Sequence, residues 1–248
     1  MATRVSVVLP TYNERGNIAE LSSELIKELK KAGYVPEIVI VDDSSPDGTG
    51  EVATAISKKN KLIKAIVRTE RGLGTAVLRG INESSGSIIV VMDADFSHPP
   101  GSVPVLVKGI DDADAVFASR YASGGSMNTD FIQYYLSKLF NYAIKAMLGI
   151  KVLDSTGGFF AIKRKAIKGI KTEQVFKGYG DYCFRMLYAL KPARLRIKEL
   201  PFKYMPRRYG KSKTPLLKSG ISYGIEALKL RRGGKMKNGG EEKSGNAN

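Results

Sequence analysis

Short, continuous apolar runs alternate with segments of helical periodicity through the first half of the chain. The runs that predict strands are Val5–Leu9, Ile38–Val41, Ala65–Val67 and Ile88–Met92. The periodic segments predict helices over residues 18–32, 51–59 and 74–83, the first with Asn17 and Glu20 at its N-terminal cap and Gly33 at its C-terminal cap. Fully apolar strands between helices are typical of an α/β protein whose mainly parallel sheet is covered on both faces.

The second half of the chain has a less regular pattern. Strands are predicted at Ala115–Ala118, Phe159–Ile162 and Leu195–Tyr204. A strongly apolar helix is predicted over residues 131–148, with one narrow polar stripe formed by Gln133, Ser137, Asn141 and Lys145. A basic amphipathic helix is predicted over 215–232, and the polar tail 233–248 is expected to be disordered.

Composition narrows the class of protein. With 248 residues, 43% of them hydrophobic, the chain can bury a core without disulfides. The single cysteine, Cys183, excludes an internal disulfide and favours a reducing compartment. No apolar run approaches the roughly 20 residues that span a bilayer, and the run that follows Arg4 is too short for a secretory signal. We therefore expect a cytoplasmic protein.

The charge is concentrated in the second part of the chain. Residues 1–162 hold 17 cationic and 18 acidic residues, whereas residues 163–248 hold 23 and 6. Such a basic region attracts nucleic acids, anionic lipids and phosphorylated ligands equally well. A non-catalytic module that binds RNA or DNA is one hypothesis, but the sequence has no recognised nucleic-acid motif and this hypothesis leaves the acidic residues described next unexplained.

Acidic side chains follow the ends of three predicted strands. Glu14 follows the first strand, Asp42 and Asp43 the second, and Asp93 and Asp95 the fourth. The carboxyl ends of parallel strands meet at one edge of a sheet, where ligands bind. Carboxylates gathered there repel one another unless a cation or ligand offsets the charge. Two carboxylates spaced i and i+2 can hold a divalent cation against a diphosphate, although a solvated turn is the simpler explanation of such a pair taken alone.

Cationic and glycine-rich segments are candidates for binding phosphate. Arg207, Arg208, Lys211 and Lys213 cluster around a glycine turn, and Arg120 ends another strand. Gly72-Leu73-Gly74 could bring backbone N–H groups to a phosphate at a helix start, with an ordinary helix start as the equal alternative. This segment does not have the spacing of the dinucleotide-binding fingerprint.

Seven motifs in order resemble the family 2 glycosyltransferases, in the branch that transfers mannose or glucose to dolichyl or polyprenyl phosphate. They are Pro-Thr-Tyr-Asn-Glu (10–14), Val-Asp-Asp-Ser-Ser-Pro-Asp-Gly-Thr (41–49), Gly-Leu-Gly-Thr-Ala (72–76), Met-Asp-Ala-Asp-Phe-Ser-His-Pro-Pro (92–100), Ser-Arg-Tyr (119–121), Asp-Ser-Thr-Gly-Gly-Phe (154–159) and Arg-Arg-Tyr-Gly-Lys-Ser-Lys (207–213). The resemblance extends from about Val5 to Lys213.

This resemblance implies a GT-A fold, an inverting mechanism and a nucleotide-sugar donor, GDP-mannose or UDP-glucose. The nucleotide-sugar contacts that it implies are Pro10, Tyr12, Glu14, Val41, Asp43, Asp93, Ala94, Arg120, Arg207 and Lys213. The implied Mg2+ or Mn2+ ligands are Asp93, Asp95 and Ser97, and the implied catalytic residues are Asp95, Arg120 and Arg207. Residues 1–232 are expected to form one catalytic domain, with a donor half (1–100), an acceptor half (101–214) and the basic helix 215–232.

The expected acceptor is a polyprenyl or dolichyl phosphate, which is largely anionic at neutral pH and needs no general base. The alternative is a sugar hydroxyl acceptor with Asp181 as base. Gln133 stands where many members of the branch have an arginine, which either weakens one expected phosphate contact or leaves it to Arg120 and Arg207. Membrane contact is expected through the helices at 131–148 and 215–232, on the cytosolic face, although core packing is an alternative use of both. A membrane-anchoring partner protein is left open. Of the remaining chemistry-bearing residues, His98 is expected to orient the metal loop and Cys183 to be a packing residue.

Overall fold

A twisted sheet of seven strands forms the centre of the computed structural model, which describes residues 2–209 and 216–233. The sheet strands are β1 (Arg4–Thr11), β2 (Val35–Asp42), β3 (Ile63–Val67), β4 (Ile88–Val91), β5 (Ala115–Ser119), β7 (Phe160–Lys163) and β8 (Ile197–Pro201). A separate two-stranded sheet pairs β6 (Ser126–Met127) with β9 (Lys203–Tyr204). The seven strands lie in the order β3-β2-β1-β4-β7-β5-β8. All neighbours are parallel except β7, which is antiparallel to both β4 and β5.

Helices cover both faces of this sheet, as the sequence predicts for an α/β protein. They are α1 (Ile18–Lys31), α2 (Thr49–Lys59), α3 (Leu73–Glu83), α4 (Ser102–Lys108), α5 (Phe131–Leu148), α6 (Arg164–Ile167), α7 (Thr172–Val175), α8 (Tyr182–Leu190) and α9 (Leu216–Arg232). Alternate residues of β1 point to opposite faces: Val7 and Leu9 pack into the core that includes α1 and α4, and Val8 into the core that includes α3 and α8. None of the helices within the described ranges is long and apolar enough to cross a membrane.

The start of α1 differs from the prediction. The Asn17 side chain does not cap the helix; its Nδ2 donates to Oε2 of Glu14 at 2.7 Å. The predicted end is confirmed, because Gly33 adopts φ +82° and its N–H donates to the carbonyl of Lys30. Asn17 is therefore tied to an acidic residue of the first loop rather than to its own helix.

Helix α5 has the predicted bounds, and its polar stripe faces the protein. Asn141 is fully buried, whereas Phe131, Ile132, Leu136 and Leu139 are each at least 62% exposed. The long strand predicted over 195–204 is divided in two, because Phe202 leaves the sheet to enter the core between β8 and β9. The prediction missed α8, a short helix whose residues are almost all apolar and buried, so that few polar positions separate its faces.

Candidate active site

Three loops at the carboxyl edge of β1, β2 and β4 form one side of a large cavity of about 1420 Å3. Nine of the residues assigned a role from the sequence line it: Pro10, Tyr12, Glu14, Asp43, Asp93, Ala94, Asp95, Arg120 and Arg207. Each loop contains one non-glycine residue in the left-handed region, namely Asn13 (φ 57°), Ser44 (φ 49°) and Phe96 (φ 65°). Backbone strain of this kind persists where the surrounding contacts hold it in place, and it is common at functional sites.

The two aspartates that end β2 have separate roles. Asp42 is fully buried, and its carboxylate accepts hydrogen bonds from Thr11 Oγ1 at 3.0 Å and from the Ser45 backbone N–H at 2.9 Å. Asp43 reaches the cavity, where Arg68 binds both of its oxygens at 2.5 and 3.1 Å. Asp42 therefore holds the loop together, and Asp43 presents a carboxylate whose charge Arg68 already balances.

Aromatic and acidic groups of the first loop lie beside Asp43. The guanidinium of Arg71 lies 4.4 Å from the centre of the Tyr12 ring and donates a hydrogen bond to its hydroxyl. Glu14 is almost completely buried, and its backbone N–H donates to Thr49 Oγ1 at 2.8 Å. The aromatic ring of Tyr12 therefore lies at the cavity, where the guanidinium of Arg71 contacts one of its faces.

Of the two uses predicted for the glycine segment at the start of α3, the structure favours the ordinary helix start over the phosphate cradle. The N–H of Gly72 donates to Asp43 Oδ2 at 2.9 Å, and the N–H of Gly74 donates to the carbonyl of Gly178 at 3.2 Å. A Cβ atom at Gly74 would lie 2.9 Å from backbone atoms of Lys177. These glycines allow close backbone packing, and their N–H groups are used inside the protein.

His98 orients the loop that carries the two aspartates, as expected. It is 2% exposed, it stacks on Phe159 at 4.7 Å, and its Nδ1 accepts the backbone N–H of Asp93 at 3.0 Å. Burial lowers the pKa of His98, so the neutral ring that this hydrogen bond requires is favoured. The Asp93 side chain, about a third exposed, has a raised pKa because of desolvation in the cavity and, secondarily, the charge of Asp95.

Asp95 is buried and lies between Ser97 and Arg207. Its Oδ1 accepts from the backbone N–H of Ser97 at 2.9 Å and from the Ser97 hydroxyl at 2.5 Å. Its Oδ2 lies 2.7 Å from Nη1 of Arg207, in an ion pair without hydrogen-bond geometry. Ser97 is fully buried and does not line the cavity, so it positions Asp95 through this contact.

The donor set suits a divalent cation shared with a ligand. Asp93 and Asp95 supply hard carboxylate oxygens, and the buried Oδ2 of Asp95 accepts no hydrogen bond from any residue that the structure describes. Among residues 2–209 and 216–233, no group of three or more His, Cys, Asp or Glu side chains forms a complete protein cage. Mg2+ is commonly bound by one or two carboxylates together with substrate phosphates and water. The two aspartates fit that arrangement.

Arg120 lies in the cavity wall in a fixed orientation. Its Nε and Nη2 donate to the two oxygens of Asp154 at 2.8 and 2.7 Å. Burial alone would lower the pKa of Arg120, but the charge and hydrogen bonds of Asp154 outweigh it and hold this pKa above its usual value. Asp154 is 1% exposed, and its backbone N–H donates to Glu199 at 2.8 Å. One edge of the guanidinium, formed by Nε and Nη2, is thus engaged, while Nη1 is directed toward Met127, a residue that also lines the cavity.

Some predicted residues lie outside the cavity. The Val41 side chain is buried in the sheet core, so any contact with a ligand would involve its backbone. Asp181 is not a cavity residue: it forms ion pairs with Arg185, which in turn binds Glu226 at 3.0 Å. Cys183 does border the cavity, but it is 1% exposed, as expected of a packing residue, and burial raises the pKa of its thiol. Lys213 lies outside the described residues, as does the predicted disordered tail beyond 233.

The sequence-based reasoning missed several residues that hold the site. Arg68 and Arg71 follow β3, so the strand-end argument applied to the acids would have found them. Asp154 is the first residue of the motif at 154–159, but no role of its own was predicted for it. Glu199 lies 45 residues further along the chain, and no pattern near it indicates this contact. Gln133, expected beside the acceptor, does line the cavity, and its side chain accepts from the Thr129 hydroxyl.

The outer part of the cavity is apolar and is bounded by α5 and α9. Its walls there include Ile132, Leu136, Phe140, Ile221 and Tyr223. Tyr223 fixes α9 to the neighbouring loop by accepting the backbone N–H of Gly180 at 2.8 Å. The cavity therefore joins a charged floor at the sheet edge to an apolar mouth between two helices.

Comparison with known proteins gives consistent likenesses. Residues 6–171 match the family model described as glycosyl transferase family 2. A dolichol-phosphate mannosyltransferase of Pyrococcus furiosus is 38% identical over 85% of this chain and 59% of its own length. A dolichol-phosphate mannosyltransferase of Saccharomyces cerevisiae is 31% identical over 86% of this chain and 82% of its own length. An undecaprenyl-phosphate mannosyltransferase of Micrococcus luteus is 33% identical over 85% of this chain and 87% of its own length. The chain spans less than two thirds of the Pyrococcus protein.

Solved structures show the same fold. Two crystal structures of glucosyl-3-phosphoglycerate synthase from Mycobacterium tuberculosis have a TM-score of 0.69 to this chain at 23% identity. Each alignment covers 93% of this chain, together with 79% of the solved chain in the first structure and 80% in the second. One was solved with Mn2+, uridine diphosphate and phosphoglyceric acid, and the other with Mg2+ and uridine diphosphate. This likeness confirms the expected GT-A architecture.

Proposed function

The chain belongs to glycosyltransferase family 2, and we propose that it transfers a hexose from a nucleotide sugar to a polyprenyl or dolichyl phosphate. Mannose from GDP-mannose is the favoured donor group, transferred with inversion at the anomeric carbon. The observation that carries the proposal is the composition of one cavity. Asp93 and Asp95 line the floor of this cavity together with Arg120 and Arg207, and the mouth of the cavity is apolar.

The donor nucleoside would bind at the first two loops. Tyr12 offers its ring to the base, next to Pro10, while Glu14 and Asp43 offer carboxylates to base N–H and ribose hydroxyl groups. Ala94 would lie along the donor between the two metal-binding aspartates. The base and the guanidinium of Arg71 would compete for the same face of the Tyr12 ring. Arg71 would therefore move off the ring or pair with the base when the donor binds.

Asp93 and Asp95 would hold Mg2+ or Mn2+, with Ser97 orienting Asp95. When bound, the cation would supply charge neutralisation for the departing nucleoside diphosphate. Arg207, whose pKa is raised beside Asp95 despite its partial burial, stays cationic and would bind the donor phosphates at the same place. Lys213 would add a further cation to this group.

The acceptor phosphate would act as the nucleophile. A phosphate monoester has a second pKa of about 6, so its oxygen is largely anionic at neutral pH and can attack without a general base. Arg120 would hold this anion, and because its guanidinium is fixed by Asp154 it would place the oxygen without further reorganisation. The neutral Gln133 would leave Arg120 with more of the phosphate charge.

The apolar mouth suits the lipid part of such an acceptor. The outer side chains of α5 and the exposed Ile225 and Leu228 of α9 would lie in the headgroup region of the cytosolic leaflet, with the basic end of α9 attracting anionic lipids. This would make the association with the membrane peripheral. We also propose that residues 1–232 form one catalytic domain, since strands from both halves share one sheet.

An acceptor panel tests the reaction class. We expect polyprenyl phosphate, but neither the matching alcohol nor a free hexose, to support release of nucleoside diphosphate together with a glycosylated product. The rival hypothesis, a sugar hydroxyl acceptor with Asp181 as base, predicts turnover with the hexose and its loss in Asp181→Asn. The ion pair of Asp181 with Arg185 argues against that rival. A UDP-glucose donor remains the alternative on the donor side.

A further inference from the structure

Asn141 is a fully buried amide in the middle of α5, and it is joined to the turn that follows this helix. Its Oδ1 accepts the backbone N–H groups of Ser155 and Thr156 at 2.9 and 3.1 Å, and both hydroxyls of these residues at 3.1 and 3.2 Å. Its Nδ2 donates to the carbonyl of Ser137 at 2.9 Å and to Thr156 Oγ1 at 3.1 Å. Every polar atom of the amide is therefore satisfied across two elements.

The turn held by Asn141 also carries Asp154, which fixes Arg120. Asp154 binds Nε and Nη2 of Arg120 and accepts its backbone N–H at 2.9 Å. On the other side, Glu199 of β8 accepts the backbone N–H groups of Leu153 and Asp154. The turn is therefore hydrogen-bonded to α5 through Asn141 and to β8 through Glu199, and Asp154 of this turn holds Arg120 in position.

Helix α5 contributes to the cavity on the same inner stripe. Ser137, one turn before Asn141, lines the cavity and lies 2.6 Å from the Tyr121 hydroxyl, and Gln133 lies a further turn away. The C-terminal end of the helix is held in the core by Ile144 and Leu148, whereas the outer face of its first half is largely exposed. Asn141 is the first buried residue of the helix, so it is the buried anchor nearest to that half. The Asn141 amide is consequently a major determinant of how α5 sits against Arg120.

We propose that Asn141 is a positioning residue for the acceptor anion. It locks α5 to the Asp154 turn, so that Arg120 and the cavity-lining groups of α5 form one rigid surface for the phosphate. The inference rests on the proposed function, because it concerns the acceptor side of that same cavity. Within the described ranges, the side-chain bonds of Asn141 go to Ser137, Ser155 and Thr156 and to none of the three donor loops, so we expect those loops to keep their structure when Asn141 is replaced.

Kinetics of Asn141→Ala and Asn141→Asp test this role, with Ser6→Ala as the matched control. Ser6 is also a fully buried polar residue, but it bonds to Gly86 at 2.8 Å at the opposite end of β1. We expect Asn141→Ala to raise the KM for polyprenyl phosphate about tenfold or more, with the donor KM changed less than about twofold. Asn141→Asp keeps the accepting oxygens and should lie between wild type and alanine. Ser6→Ala should lower thermal stability alone.

A second measurement is independent of turnover. The Nε–H of Arg120, held by Asp154, can be followed by NMR of protein labelled with 15N-arginine, with Arg120→Lys used to assign the signal. We expect Asn141→Ala to broaden or shift this signal and Ser6→Ala to leave it unchanged. Equal changes in donor and acceptor KM, or an unaltered Arg120 signal in a folded Asn141→Ala protein, would overturn the proposal. If wild type makes no lipid product, the proposed function fails, and the NMR result still decides the positioning role.

Discussion

Arg120 and Asp154 form a bidentate ion pair at N···O distances of 2.8 and 2.7 Å, in which the carboxylate is completely shielded from solvent. The pair joins β5 to the turn before β7. Asp154 comes from the motif at 154–159, and Arg120 from the motif at 119–121. Two segments that resemble family motifs are thus parts of one structural unit in the cavity wall.

Replacement of Asp154 by Asn should cost both stability and activity. The variant leaves the buried guanidinium without a counter-charge, which costs about 3 kcal/mol of unfolding free energy, and it frees Arg120 to rotate, which lowers turnover about 100-fold. Denaturant unfolding and steady-state kinetics measure the two effects. Asp114→Asn removes an ion-pair partner of Lys163 away from the cavity and should change stability only. Full activity in Asp154→Asn would contradict the role given to Arg120.

Asp95 should be required for metal binding. Asp95→Asn removes the charge that a cation needs, so we expect Mn2+ affinity, measured by electron paramagnetic resonance with nucleoside diphosphate present, to fall together with turnover by at least about 100-fold. Ser97→Ala keeps the charge and should have a smaller effect. Asp111→Asn, at an exposed carboxylate of the turn after α4, is the control. Unchanged Mn2+ binding in a folded Asp95→Asn protein would show that the site lies elsewhere.

The left-handed backbone at Asn13 should separate two substitutions of that residue. Asn13→Gly and Asn13→Ala both remove a buried Oδ1 that has no hydrogen-bond partner in the described part of the chain, but of the two only glycine adopts φ 57° without steric cost. We expect the glycine variant to be more stable than the alanine variant by about 1 kcal/mol. Paired urea denaturation curves measure the difference. Equal stabilities would mean that the loop relaxes and stores no strain.

Membrane association should depend on the outer face of α5. Leu139 is 67% exposed, so Leu139→Glu leaves the core intact while placing a charge where the helix would enter the headgroup region. Binding to vesicles that contain anionic lipid, measured by sedimentation, should weaken about tenfold. Val105→Glu alters an apolar residue on α4 that is 59% exposed, and it is the control. Equal loss in both variants would assign the binding to charge rather than to α5.

The sequence predicts the sheet edge but not the bonds that build the site. Apolar runs and turn residues were enough to place the acids of three loops together, because parallel strands end at one edge. They do not separate Asp42 from Asp43, since their difference comes from Thr11 and Ser45 on one side and Arg68 on the other.

Partners distant in sequence account for the other gaps. Arg120 is paired with a carboxylate 34 residues away, and Asp154 is held by one 45 residues away. No local periodicity encodes such pairs. The Gly72 and Gly74 segment left two uses open, a phosphate cradle or an ordinary helix start, because the choice depends on packing against Lys177 and on the bond to Asp43, which are distant in sequence.

Formation of lipid product from defined donors tests the central claim most directly. Purified protein would be incubated with Mg2+ or Mn2+, a short polyprenyl phosphate and either GDP-mannose or UDP-glucose, and the lipid fraction analysed by mass spectrometry alongside released nucleotide. We predict a polyprenyl-phosphate hexose that forms from GDP-mannose, depends on the metal and is absent with Asp95→Asn. Nucleotide release without any glycosylated lipid from either donor would contradict the account.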